Sequence, residues 1–339
     1  MKKKLLAAAV AVCAVVLAVV IGADFLFSKE TNEVLLSMNT TVSLDITGYK
    51  PEQTAKEIKE EIMRLDTELL SRTSASSELY ALNNGKAQVS DELATLLAEL
   101  KQIEIDSDGA FCVALGALSD LWGINTDNPK VPTQAEIDAV LKNTKDWSID
   151  GNTVYIPKGV KLDMGAVGKG YACDSMMGII YGLNHIKTVA AVGGSVLVYS
   201  SEPKETFRLG IRDPLGQATD YCAILETTGS CVSTSGNYER FFEDEKGNRY
   251  HHIFDPSTGY PADSDINSVT VITQYGYISD ALSTACFVLG VEKSLPLLEK
   301  YNAEAIFITN NNEIISTLSD GDSATLTVTN NNYKLGELR

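Results

Sequence analysis

TVAAVGGSVLVYS, residues 188–200, is short, rich in β-forming residues and broken by a Gly-Gly pair. WSIDGNTVYIP (147–157) precedes it; FRLGIRDP (207–214), CAILETTGSCVSTSG (222–236), YHHIFDP (250–256) and DINSVTVIT (265–273) follow. All are short and β-rich. Helical patterns interrupt them at about 169–183 and 278–290. A doubly wound fold needs strands and helices in regular alternation, which these runs lack. They predict an α+β fold with largely antiparallel sheets and packed helices.

The flanks extend this reading. VLLSMNTTVSLDITG (34–48) alternates apolar and polar residues and predicts a strand. Pro51 opens a helix over 51–70, with proline in its first turn. Ser90 starts a second helix that runs to about Asp106, and Thr133-x-x-Glu136 forms a capping box for a third. AEAIFITNNNEIISTL (303–318) predicts a hairpin with an Asn-rich turn.

Lys2, Lys3 and Lys4 precede an uncharged apolar run from Leu5 to Ala23. As a helix this run spans roughly 28 Å, about one bilayer core. The lysines predict a cytoplasmic N-terminus and an extracytoplasmic remainder. An uncleaved anchor fits better than a signal peptide, whose apolar core is shorter and ends at small residues. Lipidation of Cys13 fits poorly, because Val10 and Val12 stand where small residues belong. The expected organisation is an anchor at 1–23, a tether at 24–33 and one catalytic domain at 34–339.

The formal net charge of −17 excludes a phosphate-backbone partner, so no nucleic acid is expected. A polyanionic ligand would need a local lysine or metal ion. Beyond the apolar run lie Cys112, Cys173, Cys222, Cys231 and Cys286, irregularly spaced and without a CxxC pair. Neither a zinc site nor a disulfide scaffold is indicated.

Four stretches could carry chemistry, and each also has a purely structural reading. In KLDMGAVGKGYACD (161–174), glycines surround Lys169 before a helix. That suits an anion, or is simply a glycine-permissive turn. In YISDALSTACFVLG (277–290), Asp280 and Thr284 share one helical face. Their oxygens suit Mg2+, or belong to a capped helix start. SDGAFCVALGALSDLWGI (107–124) allows close backbone approach beside Phe111, or is a loop before a buried helix. HHIFDPSTGYP (251–261) holds two of the three histidines. Neighbours in a strand face opposite sides, so this pair does not make a two-histidine metal site. One imidazole could serve as a base or bind phosphate.

In this order these stretches resemble the FAD:protein FMN transferase (ApbE-like) family from about Val34 to Thr317. The matching motifs are MNTTVSL, LDTELLS with SSELYALN, SDGAF with LSDLWG, LDMGAVGKGYACD, VGGS, LGIRDP, VSTSGNYERFF, HHIFDPSTGYP, SVTV and SDALSTACFVLG. The resemblance implies Mg2+-dependent transfer of FMN from FAD to a Thr or Ser hydroxyl, with release of AMP. It also implies an acceptor flavoprotein of an electron-transfer system. FAD pyrophosphatase activity and non-catalytic FAD binding are the alternatives.

By motif, Ala166, Asp280 and Thr284 match metal ligands, with Ser283 a further candidate. Met38, Ala110, Phe111, Cys112, Asp163, Lys169, His252 and Ile253 match FAD-contacting positions. The resemblance implies that His252 is the base or an orienting group at the flavin phosphate and that Lys169 is a phosphate cation. The chain departs from the family pattern at Asn39, Thr73, Cys112 and Ser195.

Overall fold

A computed structural model of the chain describes residues 29–124, 126–319 and 324–338. The expected anchor and the start of the tether lie outside the described residues. Among those described, no helix is long and apolar enough to cross a membrane.

The architecture is α+β. A nine-stranded sheet contains β1 (Lys29–Ser37), β2 (Thr40–Gly48), β5 (Lys187–Val192), β6 (Ser195–Ser200), β9 (Ser230–Gly236), β12 (Ile266–Thr273), β13 (Glu304–Thr309), β14 (Glu313–Ser316) and β16 (Lys334–Leu335), adjacent in that order. Only the β14–β16 pair is parallel. A three-stranded sheet orders β15 (Ala324–Val328), β8 (Tyr221–Thr227) and β7 (Phe207–Arg212). Two small ribbons pair β3 (Ser148–Asp150) with β4 (Thr153–Tyr155), and β10 (Phe241–Glu243) with β11 (Arg249–His251). The helices are α1 (Pro51–Arg64), α2 (Glu78–Asn83), α3 (Asp91–Asp106), α4 (Gly116–Trp122), α5 (Gln134–Leu141), α6 (Gly168–Ile180), α7 (Gly276–Leu289) and α8 (Val291–Lys300).

Three expectations need correction. The single strand at 34–48 is a hairpin: β1 and β2 pair from Lys29↔Gly48 to Ser37↔Thr40. Its turn residues, Met38 and Asn39, have φ of 52° and 56°, the left-handed pair that matches sheet twist in a two-residue turn. Asp66 supports this costly backbone, accepting from Met38 N at 2.7 Å and Ser37 Oγ at 2.8 Å. Residues 29–33, expected as tether, belong to β1, which begins at Lys29. The helix expected over 51–70 is α-helical to Arg64 and then widens into a π turn at Leu65–Leu69.

The other expected elements hold. Ser90 caps α3, and the Thr133–Glu136 capping box closes in both directions. CAILETTGSCVSTSG forms two strands of different sheets, β8 and β9, so the chain crosses between layers at Gly229.

The large sheet is packed on both faces. Cys231 of β9 joins the main core with Leu44, Ile58, Met176 and Phe287 on the helical side. Its neighbour Val232 turns to the three-stranded sheet, with Ile211, Leu225 and Ile308. A third cluster, of Leu118, Trp122, Ile137 and Phe254, lies outside both. The five described cysteines are free; four are buried and Cys112 is half-buried.

α6 and α7 touch backbone to backbone. A Cβ on Gly170 would lie 2.0 Å from the Gly276 carbonyl oxygen, and one on Gly276 would lie 2.1 Å from that of Gly170. Side chains cannot occupy such gaps. Gly170→Ala is expected to lower unfolding stability by about 3 kcal/mol, the upper range for overpacking. Gly178, exposed on α6 with nothing within 4 Å of its Cβ position, is the control. Gly178→Ala should raise stability by about 0.5–1 kcal/mol. Urea unfolding of both variants reads the contrast.

Candidate active site

The glycine contact brings the start of α6 against the first turns of α7. Asp280 is 4% exposed. Its Oδ2 accepts from Gly170 N at 2.9 Å and lies 3.5 Å from Lys169 Nζ. Lys169 also donates to the Gly165 carbonyl at 3.3 Å. Its stem runs past Gly193, where a Cβ would lie 3.4 Å from Lys169 Cδ. Asp174, one turn further along α6, accepts from Gly276 N at 2.6 Å and Tyr277 N at 2.8 Å. It thus caps α7 from the neighbouring helix. Burial pushes its carboxyl up to about 6, against these two donors.

Oxygen donors remain for a cation. Asp280 Oδ1 accepts no hydrogen bond from the described residues. Neither does the Ala166 carbonyl, just before the N-cap of α6. Thr284 is half-buried on the same face of α7 as Asp280. Ser283 is fully buried and already engaged: its hydroxyl lies 2.9 Å from the Asp280 carbonyl and 2.8 Å from Ser235 Oγ. It zips α7 to β9, as Ser279 does through Ser233. Among the described residues no cluster of three or more His, Cys, Asp or Glu side chains is placed to hold a metal.

The two histidines separate as strand geometry requires. His251 is buried, with Nε2 3.0 Å from the Ala262 carbonyl and Nδ1 accepting from Ile253 N. Its ring meets Phe287 edge-on, so its role is structural. His252 is half-buried on the other side. Its Nδ1 lies 3.3 Å from the Arg240 carbonyl, which also accepts His252 N at 3.1 Å. An Nδ1–H donating there leaves Nε2 with a free lone pair. Burial, then the cations Arg240 and Lys169, push the imidazole down to about 3.

The third cluster anchors this segment. Asp255 Oδ1 folds the turn by accepting from Ser257 N and Oγ. Trp122 Nε1 donates to the Gly259 carbonyl at 2.9 Å, and Trp122 packs against Tyr250, Phe254 and Tyr260. The LSDLWG and HHIFDPSTGYP motifs are two halves of one contact. Ile253 points into the main core.

The remaining expected positions divide. Met38 reaches the start of α6, its Cε 3.2 Å from where Gly168 would carry a Cβ. Asp163 is committed: Oδ1 accepts from Gly165 N at 2.9 Å and Oδ2 pairs with Arg72 Nε at 3.1 Å. Phe111 is fully buried and Ala110 nearly so, which leaves the main chain as the part of this loop able to approach a ligand. Burial and nearby Glu104 push the Cys112 thiol up to about 12, so it supplies no negative charge to this loop.

The ApbE family profile matches residues 38–307. The chain belongs to the ApbE family. An FAD:protein FMN transferase of Klebsiella pneumoniae is 34% identical over 258 residues, 73% of this chain and 80% of that protein. One from Treponema pallidum is 31% identical over 307 residues, 83% and 84% of the two chains. The crystal structure of a Thermotoga maritima ApbE protein superposes with a TM-score of 0.77 at 30% identity, covering 83% of this chain and 94% of that one. The Pseudomonas stutzeri flavinyl transferase ApbE gives 0.69 at 28% identity, covering 88% and 94%.

Within this ApbE-family chain, Lys169, Ala166, Asp280 and Met38 gather around the start of α6, with Thr284 one turn beyond Asp280 on α7, and the charge of Lys169 contributes to lowering the His252 pKa. Sequence reasoning gave no role to Asp66, Arg72, Asp174 or Arg240. Asp66, Asp174 and Arg240 were signalled by their places within LDTELLS, LDMGAVGKGYACD and VSTSGNYERFF; Arg72 was not.

The depressed His252 pKa has a testable sign. The unfolded imidazole takes a proton near the usual 6.5 and the folded one near 3. Its contribution to stability is therefore complete above about pH 6.5 and lost as pH falls towards 3. With only three histidines, imidazole NMR can follow each. The His252 ring should remain neutral from pH 8 to 5 in the free protein, and a midpoint near 6.5 would contradict this. His252→Gln should flatten the fall in stability across that window.

Proposed function

We propose that this chain is an FAD:protein FMN transferase. It moves the FMN phosphate of FAD onto a Thr or Ser hydroxyl of an acceptor flavoprotein, and AMP leaves. The acceptor O–P bond forms, the diphosphate P–O bond breaks, and the hydroxyl proton passes to His252 Nε2. The observation that carries the reading is the free Nε2 of His252, whose Nδ1 is held by the Arg240 carbonyl at 3.3 Å. The relatives named FAD:protein FMN transferase support it.

Each residue has a physical task. Lys169 offers positive charge to the diphosphate within a protein of net charge −17. The Arg240 carbonyl fixes the His252 tautomer, so its lone pair is available without deprotonation. The loop at Ala110–Cys112 offers its backbone to the flavin nucleotide, and Met38 forms an apolar edge beside Gly168.

Mg2+ fits the donor set of Ala166 carbonyl, Asp280 Oδ1 and Thr284 hydroxyl, all hard oxygens around one carboxylate. When bound it supplies charge that neutralises the diphosphate and the departing AMP. The apolar run at 5–23, after three lysines, supports a membrane anchor with the catalytic domain outside the cytoplasm. It supports an extracytoplasmic electron-transfer flavoprotein as the acceptor.

One incubation with FAD, Mg2+ and an acceptor domain tests the activity. Covalently flavinylated acceptor and AMP are expected. Free FMN with AMP would mean a pyrophosphatase, and intact FAD a binding protein. His252→Ala should keep FAD binding and lose about 100- to 10,000-fold in transfer rate, the range for a general base. Asp280→Asn should shift the Mg2+ requirement upward by about tenfold or more; an unchanged Mg2+ titration would remove Asp280 from the metal site.

A further inference from the structure

The described residues include six arginines, and five of them pair with carboxylates. Arg64 meets Glu61 and Glu92, Arg72 meets Asp120 and Asp163, Arg208 meets Glu226, Arg212 meets Glu239, and Arg249 meets Glu243. The sixth is Arg240. Its Nη2 donates to the Asn39 carbonyl at 2.9 Å, and among the described residues it pairs with no carboxylate. In a chain with 45 acidic residues and 28 lysines and arginines, an arginine without an acid is conspicuous. A half-buried guanidinium in such a protein is expected to recruit one.

Its position explains what it waits for. Arg240 immediately precedes β10 and His252 immediately follows β11, which pair at Phe241↔His251. Arg240 therefore lies directly across the ribbon from His252. One of its nitrogens holds the β1–β2 turn, whose Met38 touches the start of α6. The remaining guanidinium N–H groups are open to a ligand. Lys169 differs, because Asp280 already offsets part of its charge.

We propose that Arg240 is a phosphate-binding residue of the active site, taking the phosphate that stays with FMN. This rests on the reading of the chain as an FAD:protein FMN transferase. The planar fork suits two oxygens of one phosphate. Placement beside His252 sets it at the phosphorus that the acceptor hydroxyl attacks, on the FMN side of the diphosphate. The β1–β2 turn, tied to the same guanidinium, couples the flavin-side edge of the pocket to phosphate binding.

Titration of FAD and FMN into the wild-type protein, Arg240→Met and Arg240→Lys tests this, with thermal midpoints recorded for each. Arg240→Met should weaken both ligands about 10- to 100-fold, the range for a charge-assisted hydrogen bond, with its midpoint near wild type. Arg240→Lys should recover part of the loss, since charge returns without the fork. Equal affinities in wild type and Arg240→Met would overturn the proposal. So would equal losses in both variants with lowered midpoints, which mark a merely structural arginine. A wild-type protein that binds no FAD would instead refute the transferase reading on which the proposal stands.

Discussion

The approach of Gly170 to Gly276 is the constraint on which the rest of the site depends. Two helices from distant parts of the chain meet with no side chain between them. That closeness lets Asp280 accept from a backbone N–H of α6 and lets Asp174 cap α7 in return. Each carboxylate satisfies donors at the start of the opposite helix, where four N–H groups lack partners within their own helix. The serine pairs Ser233–Ser279 and Ser235–Ser283 then fix α7 on the sheet. The donor oxygens and the lysine are placed by main-chain packing more than by side-chain choice.

Electrostatics divides the remaining labour. Most basic residues in the described ion pairs are spent on structure, as in the Arg72–Asp120–Lys161 chain beside Asp163. Burial, then the charges of Arg240 and Lys169, push the half-buried His252 imidazole well below its usual pKa. An anion entering this corner meets the guanidinium of Arg240, which has no carboxylate partner among the described residues.

Much of this was legible in the sequence, for reasons that differ by element. Asp280 and Thr284 could be read because i,i+4 spacing places two residues on one face in any helix. The histidines could be assigned opposite sides because strands alternate. The turn at Met38–Asn39 was missed because methionine seldom takes positive φ, and its support, Asp66, lies 28 positions away. Arg240 meets Asn39 across 201 positions, and no periodicity encodes such a meeting. Phe111 was read as a flat aromatic beside a close backbone approach; the structure buries its ring completely, after a turn at Asp108–Gly109 with φ of 52° and 79°.

The described cysteines carry one further consequence. Burial pushes the thiols of Cys112, Cys222 and Cys286 up to about 12, and those of Cys173 and Cys231 well above the usual thiol range. The thiolate is the form that attacks disulfides and reacts with oxidants. Thiols held protonated react slowly with either, so the five described cysteines are expected to stay free in the folded domain.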